Sequence, residues 1–71
     1  MNNETFNQIV LIAQNAELIN VMDYAELVDE ESNNKAAIAK RILNIAFTDG
    51  INTEAYEQIK NAYNAHLKAA A

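Results

Sequence analysis

The sequence contains no cysteine, no proline, no tryptophan and a single glycine, Gly50, among 71 residues. Without cysteine, neither a disulfide nor a thiolate zinc site can staple the chain. The lone histidine, His66, cannot build a metal site by itself. One glycine excludes a glycine-rich phosphate loop, and the lone serine, Ser32, has no nucleophile elbow around it. No apolar run reaches the roughly 18 residues that a membrane-crossing helix requires. The opening Met1-Asn2-Asn3-Glu4-Thr5 places no positive charge ahead of an apolar core, so a secretory signal is not expected. Asn3-Glu4-Thr5 then matches a glycosylation triplet by chance. The missing cysteines fit a reducing compartment, and a cytoplasmic location is expected.

Bases are missing from one half of the chain. Residues 1–34 carry seven acids (Glu4, Glu17, Asp23, Glu26, Asp29, Glu30, Glu31) and no Lys or Arg. Residues 35–71 carry five bases (Lys35, Lys40, Arg41, Lys60, Lys68) and three acids, so halves of −7 and +2 give the net charge of −5. A surface dominated by carboxylates is repelled by phosphate backbones and anionic lipids. Direct nucleic-acid binding is therefore not expected over most of the surface, and membrane binding is not expected at all.

What is abundant is helix-forming: thirteen alanines, with many Leu, Ile, Glu, Gln and Lys residues. Eleven asparagines oppose helix and favour caps and turns, so asparagine clusters should mark helix ends. The first helix is expected from Thr5, with Gln8 completing a capping box, to about Asn20. Phe6, Ile9, Val10, Ala13 and Ala16 form one apolar stripe on it, and Leu11, Ile12, Leu18, Ile19 and Met22 form a second. Two stripes on one helix suggest either that it is central or that it packs on its own core and on a second chain. Asp23 and Glu26 offer another capping box and a short acidic helix from Tyr24, ended by Ser32-Asn33-Asn34. Residues 24–47 read equally as one bent helix or two. A third helix over Lys35–Phe47 ends at Thr48-Asp49-Gly50, where glycine supplies a left-handed C-terminal cap. The last begins after Asn52 or Thr53, with Tyr56, Ile59, Tyr63, Leu67 and Ala70 on one face.

The expected fold is all-α: a small compact bundle of three main helices plus one short acidic helix, in one domain over residues 1–71. Its core is expected from Phe6, Ile9, Val10, Ala13, Leu27, Ile38, Ile42, Leu43, Ile45, Ile59, Tyr63 and Leu67. A chain this short buries only about 60% of the surface it exposes when unfolded, and gains from self-association.

Asp23, Glu26, Asp29, Glu30 and Glu31 place five carboxylates in nine residues. A calcium loop starting at Asp29 fails, since Asn34 stands where glycine is required and Lys40 where the bidentate glutamate is required. Solvated helix surface is the plain explanation, and a docking face for a basic protein surface is the functional one. A sharper version is mimicry of nucleic acid by arrayed carboxylates. Leu11, Asn15, Leu18 and Met22 follow a 4-3-4 spacing, in which one polar Asn can fix the register of a helix pair. These four residues are the expected self-association site of a homodimer. Ala46, Gly50, Ile51 and Ile59 resemble the small, turn and apolar positions of a helix-turn-helix within residues 35–68. Asp49 and Tyr56 depart from that pattern, and Lys60 is the one base among the would-be reading residues Asn52, Thr53, Glu54, Glu57, Gln58 and Asn61.

The expected function is a non-enzymatic adaptor or inhibitor of a larger protein partner, with no cofactor and no metal. Such a compact acidic chain suits a phage or mobile element. A nucleic-acid mimic and a helix-turn-helix module are the alternatives.

Overall fold

Four asparagine side chains start four helices. The structure, a computed structural model, describes residues 1–70. Helix α1 spans Asn3–Asn15, α2 Val21–Glu30, α3 Lys35–Asp49 and α4 Thr53–Ala70, and no strand occurs among the described residues. Asn2 Oδ1 accepts the Thr5 N–H at 2.7 Å, and Asn20 Oδ1 the Asp23 N–H at 2.8 Å. Asn34 Oδ1 accepts the Ala37 N–H at 3.1 Å, and Asn52 Oδ1 the Ala55 N–H at 3.2 Å. Each satisfies one of the N–H groups that a helix start leaves without an intrahelical partner. The asparagine reading holds, but two caps move. Asn2 replaces Thr5, because Thr5 already lies inside the first turn. Asn20 replaces Asp23, whose carboxylate instead accepts the Asn20 N–H at 3.0 Å and closes the box from the other end.

Helix α1 stops at Asn15, not near Asn20. Leu18 N–H bonds Ala13 O at 2.9 Å and Glu17 N–H bonds Gln14 O at 3.1 Å, around Glu17 at φ 60°. This left-handed stop is the one that helices usually make with glycine. It breaks the expected Leu11–Asn15–Leu18–Met22 line: Leu11 and Asn15 stay on α1, Leu18 lies in the turn, and Met22 starts α2. A second glycine-free stop ends α2, with Ser32 at φ 52° and Asn33 at φ 63°, so residues 24–47 form two helices. Gly50, at φ 67°, ends α3 as expected.

These turns allow two stability predictions of opposite sign. A non-glycine residue held left-handed costs about 1 kcal/mol or more, and Glu17 adds a negative charge two residues past the negative end of α1. Glu17→Gly should raise stability by about 1 kcal/mol, seen as a higher urea midpoint. A Cβ on Gly50 would meet only Thr48 O, at 3.8 Å, so space is not limiting. The left-handed backbone is limiting, and Gly50→Ala should lower the midpoint by a similar amount.

Helices α1, α3 and α4 pack on one another, and α2 packs against α3. Ile9, Ile38, Ile42 and Ile59 are the largest fully buried side chains. Phe6, Ala13 and Leu27 are buried as expected, whereas Val10, Leu43, Ile45 and Tyr63 are half-buried and Leu67 is exposed. Ile19, Ala39, Ala46 and Ala55 join the core. Ile19 does so because the early stop of α1 folds the next turn back over the bundle. The Lys35 ammonium donates to the Asn3 side chain, tying the starts of α3 and α1. No described helix is long and apolar enough to cross a membrane.

Candidate partner-binding surface

Helix α2 carries four of the ten acidic residues and is little enclosed. Only Leu27 of α2 is fully buried, with Tyr24 and Val28 half-buried beside it. Tyr24 packs its ring against Phe6, with centroids 6.4 Å apart. These three positions define the inner face, and helical spacing sends Met22, Ala25, Glu26, Asp29 and Glu30 outward. Val21 and Met22 are 76% and 74% exposed. The outer face therefore begins at Met22 and ends in carboxylates, with Val21 exposed at the helix start on the flank toward the end of α1.

The five predicted carboxylates do not act as one cluster. Asp23 is occupied by the capping box. Arg41 of α3 donates from Nη1 to Glu31 Oε2 at 2.8 Å and lies 3.6 Å from Glu30. The hydrogen bond to Glu31 raises the arginine pKa above its ordinary value, with the charge of Glu30 adding to it. A raised pKa means that this contribution to stability is complete below the ordinary arginine range. It is lost only as pH rises through the folded value, so Arg41 adds no pH dependence near neutrality. Glu26 and Asp29 remain, exposed and without an ion pair among the described residues. Sequence spacing could not show that Arg41 spends Glu30 and Glu31, because the α2–α3 turn sets which side of α3 meets α2.

Beside this face, Gln14, Glu17, Ile19, Asn20, Val21 and Asp23 line an open depression between the end of α1 and the start of α2. The expected self-association residues are dispersed. Leu11 is exposed on the side of α1 away from the core, Asn15 is exposed at its end, Leu18 is half-buried and Met22 belongs to the α2 face. Two exposed apolar residues flank the α3–α4 turn: Phe47, at 70%, which carried no expectation, and Ile51, at 86%, which the helix-turn-helix resemblance sets at a turn or apolar position. Nothing in helical periodicity marks a residue that sits just past a core face or in a turn.

The α3-turn-α4 pair that resembles a helix-turn-helix is present as two helices joined at Gly50. Glu54, Glu57, Gln58 and Asn61 are exposed on α4, and Lys60 lies 3.3 Å from Glu57. This surface would meet phosphates with carboxylates. His66 is half-buried with its ring 6.1 Å from that of Tyr63. Among the described residues no group of three or more His, Cys, Asp or Glu side chains is placed to hold a metal, and no polar side chain is buried. The chemistry offered by the α2 face is burial of apolar area next to fixed negative charge.

No known protein family matches the chain, and neither a curated protein nor a solved structure does.

Proposed function

We propose that this chain is a non-enzymatic protein-binding module, an adaptor or inhibitor that docks the outer face of α2 onto a basic surface of a larger cytoplasmic protein. The observation that carries this reading is the exposure of Val21 and Met22 next to Glu26 and Asp29, on a half of the chain without a base. Apolar anchors supply buried area at the centre of an interface. Flanking carboxylates steer a basic partner into register and disfavour acidic ones. Nucleic-acid mimicry is the weaker form, since Arg41 pairs with Glu31 and lies beside Glu30, which leaves Glu26 and Asp29 as the unpaired outward carboxylates of α2, too few to trace a phosphate backbone.

Affinity capture from nuclease-treated extract of the source cells tests this, comparing the wild type with Val21→Ser/Met22→Ser. A stoichiometric basic protein should elute with the wild type and be lost with the variant. Both residues are exposed, so their replacement should change stability by no more than about 0.5 kcal/mol. A partner retained equally by both chains would overturn the reading. Recovery of duplex DNA at low salt, without nuclease, would favour the helix-turn-helix alternative.

A further inference from the structure

The outward edge between α3 and α4 is chemically the reverse of the α2 face. Phe47 is largely exposed and its ring lies 5.8 Å from that of Tyr56. Lys60 Nζ sits 5.4 Å over the Tyr56 ring. Helical spacing places Lys40 and Leu43 on the same side of α3 as Phe47, and Tyr63 on the same side of α4 as Tyr56 and Lys60. Lys40 is exposed and makes no ion pair among the described residues. The result is an aromatic strip flanked by two ammonium groups. Glu57, 3.3 Å from Lys60, offsets only part of this charge, since both side chains are solvated.

Arg41, which reaches α2, points from a different side of α3 than Lys40 and Phe47. The acidic-apolar face and the basic-aromatic face therefore lie on different sides of the molecule, and neither can satisfy the other within one chain.

We propose that the occupant of the α3–α4 face is a second copy of this chain, which seats the outer face of its α2 there, head to tail. Val21 and Met22 would cover Phe47 and Tyr56, while Glu26 and Asp29 would meet Lys40 and Lys60. Two α2 faces placed together would oppose carboxylates, and two α3–α4 faces would oppose ammonium groups, so charge selects the unlike pairing. A standard interface takes about 800 Å² from each partner, roughly a sixth of the 4674 Å² that the chain exposes. Because the two surfaces differ, each pairing leaves one free face of each kind. Growth then continues to a ring or an open fibre. This rests on the α2 face being a binding surface, as argued above, and makes a second copy of the chain a competitor of the larger partner for that face.

Sedimentation velocity on the full chain tests it, with two charge-reversed variants checked for helicity by circular dichroism. One is Glu26→Lys/Asp29→Lys, which keeps the basic-aromatic face. The other is Lys40→Glu/Lys60→Glu, which keeps the α2 face. The wild-type average mass should at least double between micromolar and millimolar protein at low salt, and return to 7.9 kDa at about 0.5 M salt. Each variant alone should remain a monomer. Their equimolar mixture should regain association, because each face of one variant meets a face of opposite charge on the other. A wild type that stays monomeric throughout, or a mixture that forms no dimer, overturns the proposal. A synthetic Lys/Leu amphipathic helix separates this failure from failure of the α2 face itself. A monomeric chain that still binds the peptide through α2 loses self-docking alone, and a chain that binds neither loses both.

Discussion

Ile42→Ala should cost the chain roughly half of its stability. Ile42 is fully buried among Ile9, Ile38 and Ile59, at the meeting of α1, α3 and α4. Truncating a buried isoleucine costs about 2–5 kcal/mol, the transfer term plus the cavity left behind. Typical stability per residue gives a 71-residue chain only about 4–11 kcal/mol in total. The substitution therefore removes a large fraction of the whole. No disulfide is present to limit the unfolded ensemble. Urea unfolding followed by circular dichroism should show a midpoint lowered to roughly half that of the wild type. Ile51→Ala is the matched control: Ile51 is 86% exposed and should change stability by less than about 0.5 kcal/mol. An Ile42→Ala midpoint equal to that of Ile51→Ala would contradict the packing described.

The second large effect concerns binding. Glu26→Lys/Asp29→Lys should keep the fold, because both carboxylates are exposed and neither caps a helix or pairs with Arg41. Against a basic partner, each reversal exchanges an attraction for a repulsion, about 1–2 kcal/mol at a solvated interface. The pair should then weaken affinity by roughly 30- to 1000-fold at low salt. The ratio should shrink as added salt shortens the screening length below about 8 Å. The same reversal at Glu30 and Glu31 would act differently, setting two ammonium groups against Arg41 and loosening α2 from α3. Calorimetric titration of the captured partner, with thermal unfolding of each variant alongside, separates the two effects.

Helix content was legible in the sequence because asparagine punctuates it. All four helices begin on an asparagine side chain, and Gly50 ends α3 in the left-handed conformation that it uniquely favours. The helix ends at Asn15 and Glu30 were not legible to the residue. Their stops use Glu17, Ser32 and Asn33 in a conformation that sequence reading assigns to glycine. The error at Asn15 propagated, since it made a four-residue stripe out of residues that belong to α1, a turn and α2. The buried alanines, Ala39, Ala46 and Ala55, escaped for another reason: alanine suits any side of a helix and so does not announce the core. The acidic segment was visible as a run of charge. Its division into a cap, an Arg41 pair and an outward pair depends on tertiary contacts that no spacing rule contains.

The proposed docking of basic protein on the outer face of α2 can be observed residue by residue. The most direct test is an amide chemical-shift titration of the isotopically labelled chain with its captured partner, or with a lysine-rich amphipathic helix. Shifts should concentrate on Val21, Met22, Ala25, Glu26 and Asp29, with the interior of α1 unmoved. Shifts confined to α1 or to the outer side of α4, with α2 silent, would contradict it.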